Sequence, residues 1–335
     1  MKVFGLPAER LEKFIGHLMS KGEVFAPVNK GPAFAYEHIT APGQAVLDYP
    51  STILPPKKYF QPVREVLFSF DRETQAITEP KESTAKTNIL FGLHNYDMHG
   101  ILCLDYIMTQ GNVDQSWVER RKNWFFVGTS YTPDNYHFSP SVGISPKDRT
   151  GLDLFLVKAQ GGYNVEVLTP NGEKLLAGYD GSAASLPEIK EEIRFQNKIL
   201  PNYQYLPELF NKIQDHPVWT KNAKNCLSCG SCTLVCPTCY CFDVNDELDL
   251  SCKTGERVRS WDSCQVLPFT EVAGGEYFRH KTSARILHRI HRKFKYISDR
   301  YGKPFCVGCG RCTRACTAKI SITEIVNEIA RGSNA

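Results

Sequence analysis

The sequence predicts a mixed fold, α+β or α/β: an N-terminal α/β domain over residues 1–183, a helical linker over 184–222 and a cysteine-rich domain over 223–335. Three observations predict it. Short apolar runs of strand length alternate with amphipathic helical stretches through the first half. Twelve of the thirteen cysteines fall between Cys226 and Cys316. One cysteine pattern is written twice, once at each end of that stretch. With 335 residues, 42% of them hydrophobic and 23% charged, the chain is long enough for two or three domains with apolar cores.

Residues 8–21 place Leu11, Phe14, Ile15, Leu18 and Met19 on one helical stripe, with Pro7 suited to its start and Gly22 to its stop. Short strands and turns are expected up to about residue 60, where apolar pieces (24–28, 33–39) alternate with Pro and Gly. Residues 88–93 read as a buried strand and 98–108 as a helix ended by Gly111, a βα unit. Residues 124–130 form a further strand. Those at 152–158 and 163–169 form an antiparallel pair through Gly161-Gly162, and Asn171-Gly172 marks a tight turn. A charged helix is expected over 186–200, broken by Pro201, then a second over 207–219. Residues 320–329 suit either a closing strand or a helix.

The repeated pattern carries the chemistry. Cys226-Leu-Ser-Cys229-Gly-Ser-Cys232-Thr-Leu-Val-Cys236-Pro237 and Cys306-Val-Gly-Cys309-Gly-Arg-Cys312-Thr-Arg-Ala-Cys316 are both C-x2-C-x2-C-x3-C, the spacing of a two-cluster bacterial ferredoxin. The C-terminal domain is therefore expected to be ferredoxin-like, with a long insert over 239–300. Three cysteines of one tight loop reach three corners of a 4Fe-4S cluster, and the fourth comes from the other motif. Cys226, Cys229, Cys232 and Cys316 are thus expected to hold one cluster, and Cys306, Cys309, Cys312 and Cys236 the second. Gly230, Gly308 and Gly310 fit backbone close to cluster sulfurs. Zinc also binds repeated Cys-x2-Cys, but it needs neither the third cysteine nor the x3-Cys tail, twice. Thr317 stands where proline would follow Cys316, and proline supplies no ligand atom.

The insert adds Cys239, Cys241, Cys252 and Cys264. Two readings stay open: a third metal centre, a 4Fe-4S cluster being preferred over zinc, or buried thiols shielding the other clusters. Over 281–301, Ile286, Ile290, Phe294, Ile297 and Tyr301 form an apolar stripe, opposite Arg285, His288, Arg289, His291, Arg292, Lys293 and Lys295. Cations flanked by cluster motifs favour contacts with clusters and a partner protein over nucleic acid, and a net charge of +4 argues against a dedicated nucleic-acid binder. The first ten residues hold no apolar core of signal-peptide length, and no run of about eighteen apolar residues occurs. A cytoplasmic protein without a membrane helix is expected, where close cysteines act as thiolate ligands rather than disulfides.

The strings Cys236-Pro-Thr-Cys239-Tyr-Cys241-Phe-Asp-Val244, Trp261-Asp-Ser-Cys264, Ala273-Gly-Gly275, His291-Arg-Lys-Phe294 and Cys306-Val-Gly-Cys309-Gly-Arg-Cys312 resemble an iron-sulfur protein family. It comprises the iron-sulfur subunit of anaerobic sulfite reductases and the beta subunit of cytoplasmic NiFe hydrogenases, or sulfhydrogenases. A fainter, collinear likeness runs through 92–97, Asp105, Arg120-Arg121 and 138–143. The resemblance implies a subunit with no catalysis of its own, relaying electrons between a flavin subunit that handles NAD(P)H and a catalytic metal subunit of NiFe or siroheme type. It also implies a further N-terminal cluster, but Tyr96, Tyr131, His137 and Ser139 stand where its cysteines are expected, so none is expected here. Cys103, on an apolar helix face, reads as a buried thiol.

Electron transfer through two 4Fe-4S clusters is thus the leading expectation, and no GxGxxG or P-loop follows a strand. Two others are a structural or regulatory iron-sulfur protein binding nucleic acid through 281–301, and an enzyme component using His94, Asp97 and His99.

Overall fold

The computed structural model describes residues 2–80, 86–181, 183–190, 193–211 and 213–332. Strands β1 (Lys2–Pro7), β2 (Glu23–Lys30), β3 (Ala33–His38), β4 (Arg64–Asp71), β5 (Ile77–Thr78), β6 (Asn88–Leu93), β7 (Trp124–Thr129), β8 (Leu154–Ala159) and β9 (Gly162–Val167) come from the first half. Strands β10 (Phe242–Leu248) and β11 (Thr254–Trp261) come from the insert. The alternating runs of the first half build a seven-stranded sheet in the order β1-β9-β8-β7-β6-β2-β3. Its centre, β2 to β6 to β7 to β8, is parallel, and both edges turn back antiparallel.

A parallel sheet must be covered on both faces. Ile89 and Phe91 pack with Phe14, Ile15 and Leu18 of helix α1 (Leu11–Lys21). Leu90, pointing the other way, packs with Met98, Ile101 and Leu104 of α2 (Asn95–Met108) and Trp117 of α3 (Gln115–Arg121). Leaving β6 and entering α2, the chain passes the carboxyl edge of the parallel strands, where open α/β sheets place their sites.

Three local expectations are corrected. Asn171-Gly172 lies inside a helix, α4 (Pro170–Leu176), because the Thr169 hydroxyl accepts the Gly172 N–H at 3.2 Å and Pro170 takes the first position. No helix forms over 186–200 among the described residues; 191 and 192 lie outside them. Instead Ala183 and Glu188 bridge to Gly5 and Ala159, and the Asn164 amide clasps the backbone of Leu186 at 2.9 and 2.8 Å, so this stretch runs along the sheet edge. The helix expected over 207–219 is two short ones, α5 (Leu206–Leu209) and α6 (Val218–Ala223), since Pro217 cannot donate to a continuing turn.

The insert's hairpin does not stand alone. β10 and β11 extend β4 and β5 into a second sheet, β10-β11-β4-β5. Arg259 ties it down through Glu65 at 2.6 Å and Asp114 at 2.5 Å, and Trp261 donates from its ring to Gln61 O at 2.9 Å. Beyond the first motif's helix α7 (Ser231–Leu234), residues 281–301 are not one continuous helix. They form α8 (Thr282–His291), a π turn (Arg292–Tyr296) and α9 (Ser298–Tyr301). The second motif carries α10 (Arg311–Arg314), and the closing segment is a helix, α11 (Ile322–Gly332). Ile286, Ile290 and Phe294 pack with Phe210, Trp219, Val326 and Ile329. No helix among the described residues is long and apolar enough to cross a membrane.

Candidate iron-sulfur centre

The two motifs fold alike. In each, a glycine at positive φ (Gly230, 78°; Gly310, 69°) opens a four-residue helix that carries the third cysteine, and the fourth follows the helix end. At Gly310 the requirement is also steric, because a Cβ there would lie 2.5 Å from Tyr136 O. The two short helices pack on one another, so the fourth cysteine of each motif is delivered toward the other.

One cavity is lined by Cys226, Cys229, Cys232 and Cys316 together, with Gln265, Ile286, Arg289 and Ile320 completing its wall. Backbone N–H groups approach its sulfurs: Ser228 N lies 3.5 Å from Cys226 Sγ and Ile320 N 3.4 Å from Cys316 Sγ. Such bonds tune a cluster's potential. Cys229 is exposed, so this set lies near the surface. The other set is deeper. Burial first, then Cys312, Cys236 and Cys309, push the Cys306 thiol up, while the Gly308 backbone opposes them. Burial also pushes Cys232 and Cys309 up to about 12. Thiols this reluctant to ionise become ligands when a metal displaces their protons.

Arg285, Arg289, His291 and Lys293, read from sequence as a basic face, are all buried: His291 packs on the Phe210, Trp219 and Tyr296 rings, Arg285 donates to the Gln265, Arg279 and His280 carbonyls, and Arg289 and Lys293 stand beside the thiols. Burial opposes the charge of Arg289, but Cys232, Cys312, Cys239 and Cys236 hold its guanidinium well above its ordinary value. Lys293 is likewise raised against burial by Cys236, Cys239 and Cys306, and donates to Thr238 Oγ1 at 2.6 Å. Arg311, inside the second motif, forms a buried pair with Asp97 at 2.5 and 2.7 Å and donates to Thr52 O at 2.8 Å.

Residues 225–320 match the 4Fe-4S dicluster domain family. The chain is 33% identical over 340 residues to sulfhydrogenase 2 subunit beta of Pyrococcus furiosus, covering 99% of each chain. This chain belongs to the sulfhydrogenase beta iron-sulfur subunit family. No solved structure matches it. As a member of that family it is an iron-sulfur electron-transfer subunit that holds 4Fe-4S clusters.

In this member of the sulfhydrogenase beta family the insert cysteines part company. Cys239, Cys241 and Cys264 line one pocket with Arg289, Arg292 and Lys293. Cys252 does not join them: it sits exposed in the turn between β10 and β11, about 20 Å along the strand from Cys241, where its carbonyl accepts from Arg72 at 3.0 Å. The four N-terminal positions read as missing cysteines converge. Tyr131 and Ser139 hydroxyls are 2.9 Å apart, and Tyr96 Oη lies 3.3 Å from His137 Nε2. The Tyr96, Tyr131 and His137 rings pack on one another beside Cys309. The polar trio considered for an enzyme is engaged elsewhere: Asp97 by Arg311, His94 by stacking on Tyr49, and His99 by Asp148 at 3.0 Å. Cys103 is buried beside Ile297 and Phe305, its thiol pushed up to about 12 by burial.

Sequence reasoning missed Lys57. It reaches across from the first half to donate to Cys239 O at 2.5 Å, over the Trp261 ring, and burial lowers it to about 8. Its string, Pro55-Pro56-Lys57-Lys58, carries no metal-site signal.

Proposed function

We propose that this chain is the electron relay of a cytoplasmic, anaerobic oxidoreductase complex, carrying current between a flavin subunit that handles NAD(P)H and a catalytic metal subunit of NiFe or siroheme type. Two 4Fe-4S clusters supply one-electron transfer, the first on Cys226, Cys229, Cys232 and Cys316, the second on Cys306, Cys309, Cys312 and Cys236. The observation that carries this reading is Cys316, some 80 residues from the first motif, lining the same cavity as Cys226, Cys229 and Cys232. The relative's printed name, a sulfhydrogenase subunit, supports a multi-subunit setting. The exposed Cys229 gives the first set a short route to a partner, whereas the second lies inside.

Anaerobically purified protein is expected to contain at least about eight irons per chain with matching sulfide, and to give cluster EPR signals after dithionite. Replacing Cys316 by Ser should remove the signal of the first cluster and replacing Cys236 that of the second. Zinc without sulfide overturns the reading. Copurification of the native complex then identifies the catalytic partner, a siroheme protein or NiFe subunits. The nucleic-acid alternative needs a solvated basic helix, and Arg285, Arg289 and Lys293 of that segment are buried.

A further inference from the structure

We propose that Cys239, Cys241 and Cys264 hold a third iron-sulfur cluster, bound through three thiolates rather than four. This deepens the electron-relay reading above and rests on it for assigning Cys236 to the second cluster. The three thiols come from two separate stretches. Cys239 and Cys241 flank Tyr240 just after the first motif, and Cys264 follows β11. Hairpin register brings them together, since Phe242 pairs with Trp261 and Asp262 N donates to Cys241 O at 3.0 Å. The hairpin is in turn clamped to β4 through Arg259, so the juxtaposition is built into the fold.

The walls suit an anionic occupant. Arg289, Arg292 and Lys293 line the pocket, over an apolar floor of Ile297 and Phe305. Arg289 is only 7% exposed, and its Nε has no hydrogen-bond partner. Among the described residues no carboxylate pairs with Arg289 or Lys293. A buried cation without a carboxylate needs other negative neighbours, and around Arg289 and Lys293 Cys239 stands beside thiols of the first two sets. Protonated thiols supply none, whereas metal-bound thiolates do.

The number of thiols bears on the kind of centre. Among the described residues no three His, Cys, Asp or Glu side chains form a ready-made single-ion site, either at this pocket or at the two ferredoxin-like sets. The fourth insert cysteine, Cys252, is at the far end of the hairpin, and the pocket, about 290 Å³ with its mouth, is smaller than the 530 Å³ around the first four-thiol set. Three thiolates suit a three-iron cluster, or a four-iron cluster with one iron open to a small ligand.

The test uses the full chain, produced anaerobically with iron and sulfide, as wild type, Cys264→Ser, Cys241→Ser and Cys252→Ser. Iron, acid-labile sulfide and zinc are counted and EPR spectra taken before and after dithionite. The wild type should carry about 11 to 12 irons. Cys264→Ser and Cys241→Ser should each fall to about 8 with the signals of the other two clusters unchanged, which also reports that the variants have folded. Cys252→Ser should match the wild type. A signal present before reduction identifies the three-iron form, and one that emerges only on reduction the four-iron form. About 8 irons in the wild type, with or without one zinc, or full iron retained in both Cys264→Ser and Cys241→Ser, overturns the third centre and leaves the two-cluster reading standing. Fewer than about 8 in the wild type overturns both.

Discussion

Arg289 is where the thiol sets meet, with Cys232, Cys312, Cys239 and Cys236 all among its electrostatic neighbours. A fixed positive charge favours the reduced, more negative state of each cluster. At an effective dielectric near 20, a unit charge several ångströms away is worth about 2 kcal/mol, or at most about 100 mV. Arg289→Met is therefore expected to lower both cluster potentials by tens of millivolts in an EPR-monitored redox titration, and Arg289→Lys to restore most of the loss. Unchanged potentials would show that solvent already screens the charge. Asp97 acts on stability instead. It and Arg311 are 0% and 2% exposed, and removing one partner of a buried pair typically costs about 3 to 5 kcal/mol. Asp97→Asn should lower the unfolding free energy extrapolated from a urea titration by that amount, while a double replacement by apolar residues recovers part of it. His94 adds a pH term. Burial first, then His137 and Arg311, hold its folded pKa well below the ordinary 6.5. The unfolded chain therefore binds the extra proton, and stability falls as pH drops below about 6.5. Melting at pH 7 and pH 5 should show a drop that is smaller in His94→Phe; equal drops would remove His94 from the account.

At the scale of elements, the motif turns make the sharpest prediction. Gly310 and Gly302 both have positive φ, 69° and 77°, but a Cβ at 302 meets nothing within 4 Å while one at 310 strikes Tyr136. Gly302→Ala should cost only the conformational term, about 1 kcal/mol. Gly310→Ala should cost about 2 to 3 kcal/mol more for the forced shift of backbone and should deplete the signal of the second cluster before the first. Equal costs in thermal melts would mean the 136 loop yields freely. The same contrast explains what could be read in advance. Strands β6, β7, β8 and β9 were legible because each is a short apolar run bounded by turn residues, a signal carried within its own stretch of sequence. The ligand pattern was legible because its spacing is local. The 281–301 segment was not, because much of its polar side is buried against thiols, backbone carbonyls and aromatic rings instead of facing water, and periodicity records which side is apolar without saying what covers the other. Cys252 was counted with its neighbours for a similar reason: sequence distance from Cys241 does not reveal that a hairpin carries it away. Lys57 was invisible, since its partner lies 182 residues along the chain.

For the whole molecule, these long-range contacts decide how the iron-sulfur part is held. β11 of the insert pairs with β4, Arg311 of the second motif is locked to Asp97 on α2, and a Cβ on Gly100 would strike Pro237 at 2.7 Å. Cys309 shares its core with Tyr96, Tyr131 and Phe138, all from the first half. The second thiol set thus lacks a complete wall of its own, whereas the first is lined by residues 226–232, 265, 286, 289 and 316–320, all from the C-terminal half. Dividing the chain between 222 and 223 should therefore affect the two clusters unequally. A fragment of residues 223–335 supplied anaerobically with iron and sulfide is expected to lose the second cluster, to keep at most the first and the proposed centre of the insert, about seven to eight irons, and to expose an apolar face that makes it aggregate. Coexpressing residues 1–222 should restore solubility and the second cluster together, because the same contacts provide both. A separate fragment with both clusters at their full-chain potentials would show that the first half is a passive attachment. The expected result instead makes it a structural wall of the relay, one that fixes the environment, and hence the potential, of the inner cluster.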